Sequence, residues 1–446
     1  MSRRRHNAAS AMALGDQMLA SATSIAMTVV VARELSVNAF GTFALIASAS
    51  AFLVGCGRAY VAEPQLVRYA AIDQIRRRAS LRLGVEIYSS MLVFLSPLIG
   101  AALVTSSGGL RIAVGAAALV AGMGLIDAIR TFLAGTSRSH LSFAVSSGLL
   151  VAVSSGVFAA TPHDLPDALI TVGLGYAVWA VAVATVLGFG LRHSEPWRWR
   201  SREHASEAIQ AHGRHFATEY VVGTGGYYAA SLTASGLVGL QAAAGIRGSE
   251  SMLGPIRVAV ASLPNVMMAT NDLDFSEVRI AVRVSAVLGI GALACYGFAI
   301  GLNQVLGEAL FGASSSAVGD VLPFLALAPV FMAVSTGPIL GLRRLRQSQA
   351  TLKIRSFTAP LPVVGALAGA PLGISGIGAG LAGASALATV AWWTGFTRHT
   401  QQGLTGQSST SPDARHSAVR AADTSRAFAR PVASTNPQPH QDQHDS

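Results

Sequence analysis

Six charged side chains, Asp16, Glu86, Asp127, Arg130, Glu219 and Arg257, stand inside stretches that are otherwise apolar. A charge in hydrocarbon is expensive, so it normally faces a partner or a wet cavity, and its chemistry is binding or ion transfer. Asp127 and Arg130 are three residues apart, which puts them on one helical face where they can pair or gate. Arg82 and Glu86, four apart, invite the same reading. Arg257 follows Gly254-Pro255 and has no acid within one turn, which points to an anion or to an acid from another helix. Asp16 and Glu219 lie early in the first and seventh apolar blocks. They suit coupling to a proton or a sodium ion, or pairing with arginines at the inner surface. Bond-making chemistry has no matching pattern: no Walker loop, metal-ligand spacing or nucleophile elbow occurs. No catalytic residues, metal or cofactor are therefore expected, and the chain does not read as an enzyme.

The elements that must position these groups are long apolar helices. Hydrophobic residues make up 51% of the chain and charged residues 12%, half the charged share of a soluble domain. The apolar residues fall in blocks of roughly twenty, the length that crosses a bilayer. Spans are expected at Ala11–Ala32, Asn38–Tyr60, Leu81–Thr105, Leu110–Ala134, Leu141–Ala160 and Ala168–Leu191. Six more follow at Phe216–Leu240, Met252–Thr270, Ile280–Leu302, Val318–Leu340, Phe357–Ile374 and Ile377–Phe396. The eighth is interrupted by Pro255, Arg257 and Pro264, breaks that membranes tolerate where neighbours satisfy the backbone. The basic start, Met1 to His6, has the look of a signal peptide, but its apolar block is as long as a full span and reads as a retained helix. Cys56 and Cys295 sit within apolar blocks and read as packing. Gly376-Ile377-Gly378-Ala379-Gly380 has glycines spaced like a dinucleotide loop, yet no strand precedes it. Close helix packing explains it better, as it does Gly223-Thr224-Gly225-Gly226.

The net charge of +10 comes almost wholly from arginine, Lys353 being the single lysine. The arginines sit in short loops between apolar blocks, which argues against nucleic acid and for membrane orientation. With the amino terminus inside, Arg3–Arg5, Arg68, Arg76–Arg78, Arg192–Arg214 and Arg343–Arg355 all fall on the cytoplasmic side. The opposite side keeps only Arg33, Arg111 and Arg247. An even number of spans, about twelve, and an inside carboxyl terminus follow. The polar stretch at 192–214 divides the chain into two halves that run in the same direction, as parallel repeats do. The expected organisation is an inner terminus at 1–10, a six-helix bundle at 11–191, a cytoplasmic linker at 192–214, a second bundle at 215–397 and a disordered tail at 398–446. The tail's histidines, His399, His416, His440 and His444, are too scattered for a metal site.

Short stretches resemble the Wzx-type polysaccharide flippases. Asp16-Gln17 with Ser21, Val31-Ala32-Arg33 and Phe40-Gly41-Thr42-Phe43-Ala44 are similar to their first two helices. The run Arg58 to Arg68, with Glu63-Pro64, resembles their exit from helix two. Gly245-Ile246-Arg247-Gly248 and Leu253-Gly254-Pro255 resemble the turn into helix eight. The likeness spans roughly residues 10 to 395 and departs in short loops, in Pro264 and in lacking a dense cationic cluster along one helix. It implies the MATE-like flippase superfamily: two six-helix bundles around a central cavity, with alternating access. It implies a bacterial inner-membrane protein that moves undecaprenyl-pyrophosphate-linked oligosaccharide, working beside other polysaccharide-assembly proteins. Arg33, Arg58, Arg247 and Arg257 would then meet the pyrophosphate, for which guanidinium forks are suited. Asp16, Glu219, Asp127 and Arg130 would couple or gate. A cation-coupled drug or metabolite antiporter of the same fold is the alternative. A membrane polymerase or ligase is disfavoured, because the longest outside loop is about a dozen residues, too short for a catalytic loop.

Overall fold

The computed structural model describes residues 3–68, 74–103, 109–136, 138–187, 206–207, 209–270, 277–345 and 347–408. The first part of the chain forms α1 (Arg3–Glu34), α2 (Val37–Gly57), α3 (Glu63–Arg68), α4 (Gln74–Leu103), α5 (Gly109–Gly135), α6 (Ser139–Ala160) and α7 (Leu165–Val186). The second forms α8 (Arg214–Val238), α9 (Leu240–Thr270), α10 (Val278–Phe311), α11 (Ser315–Leu325), α12 (Leu327–Arg344), α13 (Ser348–Thr358), α14 (Leu361–Gly369) and α15 (Gly373–Ser408). No strand occurs among the described residues. The chain to Phe396 is one compact unit, and α15 beyond it belongs to another.

Among the described residues, six helical stretches are long and apolar enough to cross a membrane: Val37–Leu66, Gly109–Ala134, His140–Ala160, Leu165–Val186, Val278–Arg344 and Gln349–Gln401. The last two hold several helices each. Large apolar side chains cover the outside. Phe94 is 78% exposed, Phe298 71% and Val305 81%, a surface that lipid covers and water would not. This is a multi-pass membrane protein. Some buried hydroxyls are satisfied within their own helices, as when Thr23 donates to the Leu19 carbonyl at 2.9 Å and Ser50 to that of Ile46 at 2.7 Å, which suits hydrocarbon surroundings.

Local chemistry sets the helix ends. Ser36 caps α2 by accepting the Ala39 N–H at 3.4 Å, and Asp164 caps α7 by accepting that of Asp167 at 2.8 Å. Gly239, at φ +107°, separates α8 from α9. A side chain there would be strained, so glycine alone makes this sharp break without cost. The structure corrects the expected eighth span. Its helix, α9, begins at Leu240 rather than Met252 and continues through Pro255 and Pro264. The eleventh expected span is instead divided near Pro360, between α13 and α14. Helix α15 extends past Arg398 to Ser408, into the segment read as tail. The linker arginines Arg192, Arg198, Arg200 and Arg202 and the tail from residue 409, including His416, His440 and His444, lie outside the described residues.

Small residues hold the helices together. A Cβ on Gly115 or Gly122 of α5 would come within 2.7 Å of Leu169 or Tyr176 of α7, and one on Gly173 of α7 within 2.7 Å of Leu119. The two helices thus interlock through reciprocal glycine notches, and van der Waals packing is what drives association in lipid. Gly376 and Gly380 of α15 fit against Gly369 and Gly365 of α14 in the same manner, so this glycine run is a packing surface. Residues early and late in the chain meet where α1 lies against α9 and α2 against both α8 and α9. There Gly41 admits the Leu240 carbonyl.

Between α2 and α3, Arg58–Ala62 forms a π-helical turn, closed by the Glu63 N–H on the Arg58 carbonyl. A second π-helical turn, Ile209–Gly213, leads into α8 and lies against the first, so that a Cβ on Gly213 would reach the Tyr60 carbonyl at 2.6 Å. Such bulges recur at functional sites in membrane and soluble helices alike.

Candidate functional site

Asp16 on α1 is almost wholly buried. Arg130 of α5 holds it through Nη2 on Oδ2 at 2.8 Å and Nε on Oδ1 at 3.4 Å, and Ser146 of α6 donates to Oδ1 at 2.6 Å. Three helices are therefore tied by one carboxylate, whose buried charge is met by a guanidinium fork and a hydroxyl.

The expected pair between Asp127 and Arg130 is not the one that forms. Asp127 turns to Arg58, 3.2 Å away at the π-turn, while Arg130 serves Asp16. The spacing of three does place both on one side of α5. Other helices supply better partners there, since a guanidinium of another helix reaches Asp127 without bending back along its own. Tyr88 of α4 adds a hydroxyl 2.9 Å from Asp127 and 2.7 Å from the Val54 carbonyl, and its single proton serves one of them at a time. Arg58 also lies 3.7 Å from Glu63. The pair Arg82–Glu86 forms within α4 at 3.4 Å, as the spacing of four implies.

Arg257 is likewise corrected. Its acid comes from its own helix, two turns earlier: Glu250, at 2.8 Å. The guanidinium also stands over the Tyr227 ring, 5.2 Å from its centre, a cation–π contact that desolvation strengthens. Tyr228, the next residue of α8, meets Phe52 of α2 with ring centres 5.1 Å apart, and Tyr220 meets it at 5.9 Å. An aromatic seam therefore fills the junction of α2 with α8.

Arg247 differs from all of these. Its one hydrogen bond is from Nη2 to the Ser24 hydroxyl of α1 at 3.2 Å, and its Nε is buried without a partner. No carboxylate pairs with it among the described residues. Arg33 is exposed at the end of α1, one full α2 helix away from Arg58. That separation is about 30 Å, so the four candidate arginines form no single cluster. They mark successive levels: Arg58 at the π-turn, Arg257 with Glu250, Arg247 at the level of Ser24, and Arg33 at the far end of α1.

Glu219 of α8 forms a short ion pair with Arg355 of α13. This pair stands on the wall of a cavity of about 740 Å³ between α8, α12, α13, α14 and α15, which Arg343 also lines. Sequence reading missed Ser146, Ser24, Tyr88, Tyr227, Glu250 and the role of Arg355. None carries a local signal, because each acts across helices or two turns along one.

No family model and no curated protein matches the chain. Solved structures do match in fold. Lipid II flippase MurJ in an inward closed conformation aligns with a TM-score of 0.60 at 11% identity, over 87% of this chain and 90% of that one. An outward-facing multidrug resistance MATE family transporter of the MOP superfamily aligns at 0.57 and 15%, over 87% and 95%. A MOP superfamily transporter from Pyrococcus furiosus aligns at 0.53 and 13%, over 88% and 96%. The chain has the fold of these transporters and flippases. At such identities the likeness concerns architecture, and cargo has to be argued from the site.

Proposed function

We propose that the protein is a flippase that carries an undecaprenyl-pyrophosphate-linked oligosaccharide across a bacterial inner membrane by alternating access. The observation that carries this reading is Arg247. Asp16, Glu63, Glu86, Asp127, Glu219 and Glu250 each lie within 4.0 Å of an arginine, whereas Arg247, bonded only to the Ser24 hydroxyl, has a buried Nε with no partner and no carboxylate beside it among the described residues. A guanidinium so placed between α1 and α9 suits an anionic cargo. A cationic drug, the substrate of the alternative antiporter, would need a spare carboxylate there. The levels occupied by Arg58, Arg257, Arg247 and Arg33 suit a pyrophosphate passed along the α1–α9 seam. In this reading the chain has twelve spans in two parallel halves, with both termini inside, and other polysaccharide-assembly proteins supply and use the cargo. Asp16 and Glu219 act as coupling groups when a proton or sodium ion replaces Arg130 or Arg355, with Asp127 and Arg130 as gating partners.

The test is transport into the outer leaflet of proteoliposomes by purified protein, with a fluorescent pyrophosphate-linked saccharide. Arg247→Ala should slow transport about tenfold or more, the loss expected when a charged hydrogen bond to the cargo is removed, and Arg247→Lys should restore part of it. Unchanged transport by Arg247→Ala at equal protein incorporation would end the proposal. Asp16→Asn and Glu219→Gln should remove any dependence on a proton or sodium gradient in the same vesicles.

A further inference from the structure

The cavity is lined mainly by α8 and α12–α15, with Val260 of α9 and Glu63 also on its wall, and of its charged groups the flippase reading uses the Glu219–Arg355 pair but not Arg343. Arg343 and Arg355 both line it, from α12 and α13. The carboxylate bonded there is Glu219, and its partner is Arg355. Glu63, the other acid on the wall, leans on Arg58 instead. Arg343 has no hydrogen bond or ion pair among the described residues, and its like-charged neighbour Arg355 shares one carboxylate with it at most. Two guanidinium groups beside one bonded carboxylate leave a surplus positive charge on the cavity wall. The lining also offers hydroxyls such as Thr224 and Thr336 and the ring of Trp392. The volume lies in the range of small-molecule sites, which typically combine an apolar wall with a few fixed polar groups.

We propose that this cavity is a second anion site, in which the phosphate oxygens of a ligand bridge Arg343 and Arg355 and displace Glu219. Guanidinium groups receive phosphate through paired N–H donors, and two of them outmatch one carboxylate that offers a single bonded oxygen. Occupancy and the Glu219–Arg355 pair are then mutually exclusive, so the ligand releases α8 from α13. The inference shares the Glu219–Arg355 pair with the flippase reading but neither Arg343 nor Arg247, so variants at those two positions tell the readings apart.

Trp392 supplies the reporter. The full chain in detergent is titrated with inorganic phosphate, and in nanodiscs of phosphatidylglycerol it is compared with nanodiscs of phosphatidylcholine, following tryptophan fluorescence. Wild type should give a saturable change that Trp392→Phe removes. A response to inorganic phosphate assigns a soluble anion, and one confined to phosphatidylglycerol assigns a lipid headgroup. Arg343→Gln should weaken half-saturation about tenfold or more, the factor that corresponds to one lost charged hydrogen bond, and Arg343→Lys should retain most of it. Glu219→Gln should tighten binding by a similar factor, because the internal competitor is gone, while Arg247→Ala should leave the titration unchanged. A saturable response that survives Arg343→Gln, weaker binding by Glu219→Gln, or silence in both arms would overturn the proposal.

Discussion

At the residue scale, three of the ion pairs, Asp16–Arg130, Asp127–Arg58 and Glu219–Arg355, join separate helices. The Asp16–Arg130 pair is the most enclosed, with side-chain exposures of 7% and 14%. Breaking one partner leaves the other charge uncompensated, a far larger penalty than losing the pair as a whole. Arg130→Ala should lower stability by about 3–5 kcal/mol, and Asp16→Ala combined with Arg130→Ala by clearly less. Thermal unfolding in detergent around that double-mutant cycle measures both. A sequence displays pairs along one helix, and Arg82–Glu86 was legible for that reason. Asp127–Arg58 spans 69 positions and Arg130–Asp16 spans 114, and no local pattern announces them. Glu250 lies before the expected start of the span at Met252 and two turns from Arg257, so the sequence does not announce that pair either.

At the element scale, glycine placement decides which helices touch. Gly122 is a notch filled by Tyr176, so Gly122→Val must push α5 and α7 apart and should cost about 1–3 kcal/mol, as overpacking does. Gly156 of α6 has open space around its Cβ position. Gly156→Ala should be neutral or stabilise by about 0.5–1 kcal/mol, since alanine gives up less chain entropy in a helix. Melting temperatures of the two variants separate a packing glycine from an idle one. Apolar block length made the helices readable, and the packing role of Gly376 and Gly380 could be inferred from the missing strand before them. The start of α9 was missed because Gln241, Arg247 and Glu250 make its first turns look like a loop. Arg247 and Glu250 are partly buried, where Ser24 and Arg257 meet them, while Gln241 stays exposed.

At the scale of the whole molecule, orientation is the property that the arginine distribution governs. Cys56 and Cys295 are the two cysteines and both are free, so replacing them with serine gives a clean background for mapping. His163→Cys, in the turn between α6 and α7, should react with a membrane-impermeant maleimide on intact cells. Gln347→Cys, between α12 and α13, should react only after permeabilisation. The reverse pattern would invert the proposed orientation and, with it, the direction in which Arg58, Arg257, Arg247 and Arg33 are met. A division into two bundles at the polar stretch near residue 200 is the expectation from sequence, while the described helices up to Phe396 form one compact unit. The cavity beside α8 and α12–α15 could not be anticipated from sequence, because its wall is assembled from residues as far apart as Glu63 and Trp392.

The π-turn at Arg58–Ala62 makes chain length itself a variable. Its closing bond spans five residues where an α-turn spans four, so one extra residue is stored there and everything beyond is turned by about 100° from the line of a uniform helix. Deleting a single residue from this turn would heal the helix into a regular one and carry Glu63 and Gln65 off their present faces. A shorter chain would thus be the more regular one while losing the aim of its side chains, which makes this short segment the place where an insertion, rather than a substitution, is written into the working geometry.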